Sequence, residues 1–183
     1  MSDIRIIPVT TKKGLRTFIQ FYYDLYEGSK YVPYLRFDEW NTLSKDKNSA
    51  FDFCEAQYFL AIDYSIPKVV GRIAAIINHC ANDQWNKKQV RFGWFDFIDN
   101  LEVSGMLLDA AARWGRERGM EELVGPLGFT DMDREGMLIE GFHEKSTMYV
   151  NYNYPYYPKH MDALELFQKD NDWLEYRIKV PEV

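Results

Sequence analysis

Residues Gln89–Gly119 read QVRFGWFDFIDNLEVSGMLLDAAARWGRERG, and this stretch decides the fold. From Gln89 to Ile98 apolar and polar side chains alternate, with Val90, Phe92, Trp94 and Phe95 apolar, as in a strand with one buried face. From Glu102 to Arg118 the period changes. Val103, Met106, Leu107, Ala110, Ala111 and Trp114 recur at helical spacing, and Asp109, Arg113, Arg116 and Glu117 fall on the opposite side. Gly119 supplies the stop. Glu122–Gly125, ended by Pro126, reads as a short strand that completes a strand–helix–strand unit.

Upstream, Ile4–Val9 predicts a first strand, and Lys12–Glu27 predicts a helix carrying Leu15, Phe18, Ile19, Tyr22 and Tyr26 on one face, stopped by Gly28. Lys30–Phe53 is irregular and reads as a loop holding a short helix. Tyr58–Asp63 and Lys68–His79 are apolar, β-branched runs joined around Ser65-Ile66-Pro67, a hairpin of central strands, and Ala81–Lys88 is a polar turn. Downstream, Asp131–Gly141 predicts a short helix capped by Thr130 or Asp131 and Thr147–Tyr152 a strand. Pro158–Gln168 predicts a helix with Met161, Leu164 and Phe167, and Trp173–Val180 a last strand alternating Leu174, Tyr176, Ile178 and Val180. This order implies an α/β (α+β-like) fold, a mixed, largely antiparallel central sheet flanked by helices. No repeat, linker or shift in composition marks a boundary, so residues 1–183 read as a single domain.

Composition narrows the function classes. With 46% apolar residues among 183, the chain has enough to bury a core and is not disordered. Lys and Arg number 22 against 28 Asp and Glu, and the net charge of −6 repels phosphate backbones, so nucleic acid is not an expected partner. No apolar run approaches the roughly 20 residues of a membrane span. The start, Met-Ser-Asp-Ile-Arg, lacks an apolar signal core, which points to the cytoplasm. Cys54 and Cys80 form no CxxC and read as free buried thiols of a reducing compartment. His79, His143 and His160 show no metal-ligand spacing, and His79 and Cys80 would point to opposite faces of a strand, so no metal site is expected.

Several stretches then form a recognisable set: Val70-Gly71-Arg72-Ile73-Ala74-Ala75-Ile76, Phe92-Gly93-Trp94-Phe95 and Asp99-Asn100-Leu101-Glu102-Val103. Beyond them stand Arg118-Gly119-Met120, Gly125-Pro126, Gly136-Met137-Leu138-Ile139-Glu140-Gly141-Phe142 and Tyr156-Tyr157. Together with the element order, they make the chain resemble a group of bacterial GNAT-like proteins, in the superfamily of acyl-CoA N-acyltransferases. The resemblance covers Tyr31 to Tyr176. It implies a single GNAT-like domain, either in a homodimer or as the N-terminal half of a chain with a second GNAT-like domain. It also implies acetyl-CoA or another acyl-CoA as co-substrate and a small-molecule amine as acceptor. The fourth strand and the next helix hold the coenzyme in that fold, which assigns Phe97, Ile98, Val103, Ser104 and Gly105 to it here.

The physical basis of such a site is a helix N-terminus, whose free N–H groups and partial positive charge attract pyrophosphate. The loop of the resembled family is Q/R-x-x-G-x-G/A, and Asn100–Gly105 keeps only its last glycine. Val103 replaces the first, and Asp99 and Glu102 bring negative charge to the phosphate position. The same charge is favourable at the start of an ordinary helix.

Acyl transfer to an amine needs a base for the ammonium and an acid for the leaving thiolate. Asp96 and Glu140, each in or near an apolar run, are candidate bases, or else outward-facing carboxylates. The tyrosine that the resemblance implies on the penultimate helix falls on Phe167, or on Asp162 if the register is shifted, and in neither register is it present. Tyr156 and Tyr157 begin that helix and are candidates to replace it. Arg72 reads as a ligand anchor or as a paired structural arginine. Five tyrosines between Tyr149 and Tyr157 either line a pocket or cover the core. The degenerate loop and the missing tyrosine leave a second reading open, a non-catalytic binding or assembly module with a Tyr-rich small-molecule pocket.

Overall fold

The computed structural model describes residues 3–147, 150–174, 176 and 178–181. Five strands form one sheet in chain order: β1 (Ile4–Pro8), β2 (Cys54–Asp63), β3 (Lys68–Asn78), β4 (Gln89–Phe97) and β5 (Glu122–Val124). β1 to β4 pair antiparallel and β5 joins β4 in parallel, giving the mixed sheet that the element order implies. Helices α1 (Lys12–Leu25) and α2 (Arg36–Leu43) cover one face, and α4 (Leu101–Arg116) and α5 (Tyr156–Leu164) the other. A seven-residue helix, α3 (His79–Trp85), links β3 to β4. β3 is buried on both faces. Ile73, Ala75 and Ile77 belong to one core with Val103 and Leu107 of α4, while Ala74 and Ile76 belong to the other with Phe18 and Ile19 of α1. The Thr11 and Asn100 side chains cap α1 and α4 by accepting from Gly14 N and Glu102 N.

β4 carries the decisive irregularity. Ala74 pairs with Gly93 and Arg72 with Asp96, so Trp94 and Phe95 together face Ile73. This is a β-bulge, and Trp94 takes a φ of 45° within it. One extra residue moves every later side chain to the opposite face. Val90 and Phe92 before the bulge, and Phe95 and Phe97 after it, all reach the core beneath α4. Trp94 and Asp96 turn towards α1 and α2 instead. Beyond Arg91 the partner strand ends, since β5 pairs only through Val124. Leu127 N donates a last bond to Phe92 O at 2.7 Å, and the chain then leaves the sheet.

Several expectations are corrected here. Ala81–Lys88 lies largely within α3 rather than in a turn, because the Asn78 side chain accepts from Ala81 N and caps a helix. His79 and Cys80 therefore share a helical turn, and Cys80 is exposed while Cys54 is buried. Asp131–Gly141 forms no helix, since its backbone bonds elsewhere. Gly136 N donates to Pro126 O, and Leu138 N donates to the Asn153 side chain. Thr147 and 150–152 form no strand, as Asn151 and Asn153 tie that segment down by side chains bonded to Gly136 O and Leu138 O; Met148 and Tyr149 lie outside the described residues. Finally, Trp173, Leu174, Tyr176, Ile178 and Val180 are exposed and not in a strand, with Glu175 and Arg177 outside the described residues. Minor shifts of helix ends also occur, such as α5 starting at Tyr156.

Gly93 is where the segment after β5 comes closest to the bulge: a Cβ there would overlap the Leu127 carbonyl oxygen. Backbone cannot swing aside as a side chain does. Gly93→Ala is therefore expected to destabilise the fold by roughly 1–3 kcal/mol, read as a lower urea midpoint with unchanged slope. A wild-type midpoint would contradict this account of the bulge.

Candidate functional site

The bulge sets Arg72 and Asp96 side by side on the α1 face. Arg72 is 1% exposed, and its Nε and Nη2 each lie 2.7 Å from Asp96 Oδ2. Nη1 donates to the Phe18 carbonyl at 3.0 Å and stands 4.0 Å from Glu39 Oε2. The guanidinium also stacks over the Phe18 and Tyr22 rings. Burial opposes its charge, yet Asp96 and Glu39 together hold its pKa above the ordinary value.

A chain of phenols continues from this pair. Tyr26 donates to Asp96 Oδ1 at 3.0 Å. A phenol has one proton, so Tyr157 must be the donor in its 2.9 Å contact with Tyr26. Tyr157 in turn accepts from Phe97 N at 3.1 Å. Burial pushes the pKa of both Tyr26 and Tyr157 well above 10, which keeps them protonated.

A cavity of about 290 Å³ opens beside this network. The bulge residues Gly93–Asp96 form one wall, Tyr22, Tyr31 and Tyr152 another, and Glu39 and Arg134 project charge into its lining. Glu39 is 3% exposed and accepts from Trp94 Nε1 at 3.1 Å. Burial raises its pKa to about 7, against the opposing pull of Arg72 and Trp94. Such a carboxyl gives and takes a proton near neutral pH, the property a general base requires.

The residues expected from sequence separate into three groups. Asp96, Tyr157 and the bulge meet at the cavity, but both Asp96 oxygens are engaged, by Arg72 and by Tyr26. Glu140 is exposed on the loop after β5 and does not line the cavity. Tyr156 donates to Phe97 O at 2.6 Å, so the first turn of α5 satisfies both backbone groups of Phe97. Ile98 N donates to Val70 O. Val103 is fully buried, and Ser104 Oγ bonds Leu101 O and His160 Nδ1, each at 3.0 Å. Gly105 faces Leu164 of α5. Asp99 is met by His160 Nε2 at 2.9 Å. Among the tyrosine-rich stretch, Tyr152 and Tyr157 line the cavity, while Tyr154 stacks on Tyr26 and extends the buried Tyr22–Tyr26–Tyr31 cluster. Arg72 is the paired arginine of the two readings, yet it lines the cavity as well. Glu39, Tyr26 and Arg134 carry no sequence signal of a site. Glu39 sits on a short polar helix, and only the long-range contact with Trp94 and Arg72 buries it.

Two solved structures share this architecture. A chain from Pyrococcus furiosus assigned as an acetyl transferase superposes with a TM-score of 0.51, at 11% identity, over 95% of this chain and 100% of its own length. A second, described as a probable acetyltransferase, gives 0.52 at 12% identity over 97% and 99%. The chain has the GNAT-like acetyltransferase fold. No protein-family model matches it. Protein YghO of Escherichia coli K12 is 30% identical over 154 residues, 84% of this chain. Bacterial ceramide synthase of Caulobacter vibrioides is 30% identical over 143 residues, 77% of this chain. The GNAT-like chain spans only 39% and 37% of these two relatives.

An acyl-CoA does not fit the residues that the GNAT-like fold assigns to it as they stand here. The Phe97 N–H and C=O are held by Tyr157 and Tyr156, and the first turns of α4 are covered by His160 and Leu164 of α5. Among the described residues no cluster suits a metal ion, and no helix is long and apolar enough to cross a membrane.

Glu39 makes stability depend on pH. Its carboxyl holds a proton to about 7 in the fold but releases it near 4.5 when unfolded. Between these values the native state binds more protons, so raising the pH through the window costs stability. The unfolding free energy should fall by about 3 kcal/mol from the acid to the neutral end of that window, relative to Glu39→Gln. Parallel stability profiles for the two proteins would contradict the raised pKa.

Proposed function

We propose that this chain transfers an acyl group to the nitrogen of a small amine held in the cavity at the β4 bulge, with Glu39 as the base. The observation that carries the reading is a buried carboxyl, its pKa raised to about 7, lining a cavity at the bulge in β4 of an acetyltransferase fold. An ammonium entering the cavity meets Glu39 with Trp94 fixing its orientation. Proton transfer to the carboxylate leaves a neutral amine with a free lone pair, and the proton resides on Glu39. Asp96 serves as a positioning group, holding Arg72 and the Tyr26–Tyr157 pair. The likeness to a protein named a ceramide synthase supports amide formation, because a ceramide is an N-acylated amine.

In this reading an acyl-CoA would be the donor. The amine nitrogen would bond to the acyl carbon as the C–S bond breaks, and coenzyme A would leave as the thiol with the second proton of the amine. Approach of the donor to β4 would require α5 to leave Phe97. That same contact favours a second reading, a binding module without turnover. Calorimetry with acetyl-CoA and palmitoyl-CoA, followed by thiol release in the presence of primary amines, separates the two. Acyl transfer predicts binding and an amine-dependent rate that rises with pH through about 7. Glu39→Gln should lose that inflection and about 10²–10⁴-fold in rate. No heat and no thermal shift at roughly millimolar ligand would leave the binding module.

A further inference from the structure

Arg134 is a charged residue of the cavity that the proposed reaction does not use. It lies on the loop after β5 and lines the same space as Glu39. Its Nη1 donates to the Tyr31 hydroxyl, and the guanidinium stacks on the Tyr34 ring. Nε and Nη2 are buried and have no hydrogen-bond partner. Among the described residues no carboxylate stands within ion-pair distance of Arg134, in contrast to Arg72. Burial lowers its pKa to about 10 even with the Tyr22 phenol beside it. Buried donors of a charged group are nearly always paired, so an orphaned pair calls for an explanation.

The two orphaned nitrogens are neighbours. In a guanidinium, Nε–H and Nη2–H point the same way along one edge and form the fork that matches the two oxygens of a carboxylate. An unfilled carboxylate fork thus lies buried in the wall of a cavity that also holds a proton-accepting carboxyl, beside tyrosine rings. We infer that the acceptor is a free amino acid, its carboxylate bound by Nε and Nη2 of Arg134 and its ammonium directed to Glu39. This deepens the acyl-transfer reading and rests on it for the word acceptor. The cavity volume of about 290 Å³ suits a molecule of that size. Aromatic walls favour an apolar or aromatic side chain. Tyr34, half-exposed on the loop before α2, stacks over the guanidinium, so a carboxylate at the fork requires that ring to move. Because the fork is screened from water, the ion pair forms where solvent competes little.

The test is calorimetry on the full chain without acyl donor. The probes are the standard amino acids, each beside its decarboxylated amine and its deaminated acid, with inorganic phosphate as a further arm. At least one amino acid should bind about tenfold or more tighter than its own amine. That gap should vanish in Arg134→Gln and shrink in Arg134→Lys, which keeps the charge but not the fork. Absence of binding by every amino acid up to about 10 mM overturns the inference, as does an amine that binds as tightly as its amino acid. Phosphate binding as tightly as the best amino acid also overturns it, in favour of a simple anion site. The gap is measured in the wild-type chain, so it decides the matter even if a variant fails to fold. Acylation of amines with no preference for a carboxylate would sink this inference and keep the proposed reaction. Amino-acid binding without acylation would do the reverse.

Discussion

A guanidinium buried to 1% exposure needs partners on every side, and the arrangement around Arg72 follows from that need. Its carboxylate partner comes from β4, where plain alternation would have placed Phe95 or Phe97 on the α1 face. The bulge at Trp94–Phe95 inserts one residue and brings Asp96 round instead. The Phe18 carbonyl at the middle of α1, the Glu39 carboxyl of α2 and the Tyr26 phenol at the end of α1 then converge on the pair. Through Tyr157 the network reaches α5 on the far side of the sheet. Five elements thus meet at one ion-paired network.

The same pair sorts the chemistry of its neighbours. Asp96 takes two guanidinium nitrogens at 2.7 Å, while Glu39 is left at 4.0 Å. The nearer carboxylate is engaged and the farther one keeps its proton until about pH 7. Arg134, with no carboxylate within ion-pair distance among the described residues, lines the same cavity as Glu39. Pairing of β4 with β5 ends at Arg91, and α5 places two phenols on Phe97 farther along the strand. The acetyltransferase fold is therefore present, with the Phe97 backbone and the first turns of α4 covered by α5.

Much of the fold is legible in the residues. The helical stripe from Val103 to Trp114 and the apolar runs of β2 and β3 are local patterns that survive folding unchanged. The bulge is not legible: Trp94 continues the even alternation of Val90 and Phe92, and only the fold shows the buried positions passing to Phe95 and Phe97. The loops after β5 were not legible, because Asn151, Asn153 and the Pro126 carbonyl take up backbone groups that a helix or strand would otherwise pair. Of the site, Asp96, Tyr157 and Arg72 stand out as polar groups in or beside apolar runs. Glu39 and Arg134 do not, since their burial comes from contacts across more than fifty residues of chain.

The central claim is that the Arg72–Asp96 pair holds the site together, and a double-mutant cycle tests it most directly. Unfolding free energies of Arg72→Met, Asp96→Leu and the double variant would be measured by urea titration. The account predicts a loss of roughly 3–5 kcal/mol for each single change. It also predicts a double variant that recovers about 2 kcal/mol or more of their sum. Strictly additive losses would mean that the two side chains do not depend on each other, and would contradict it.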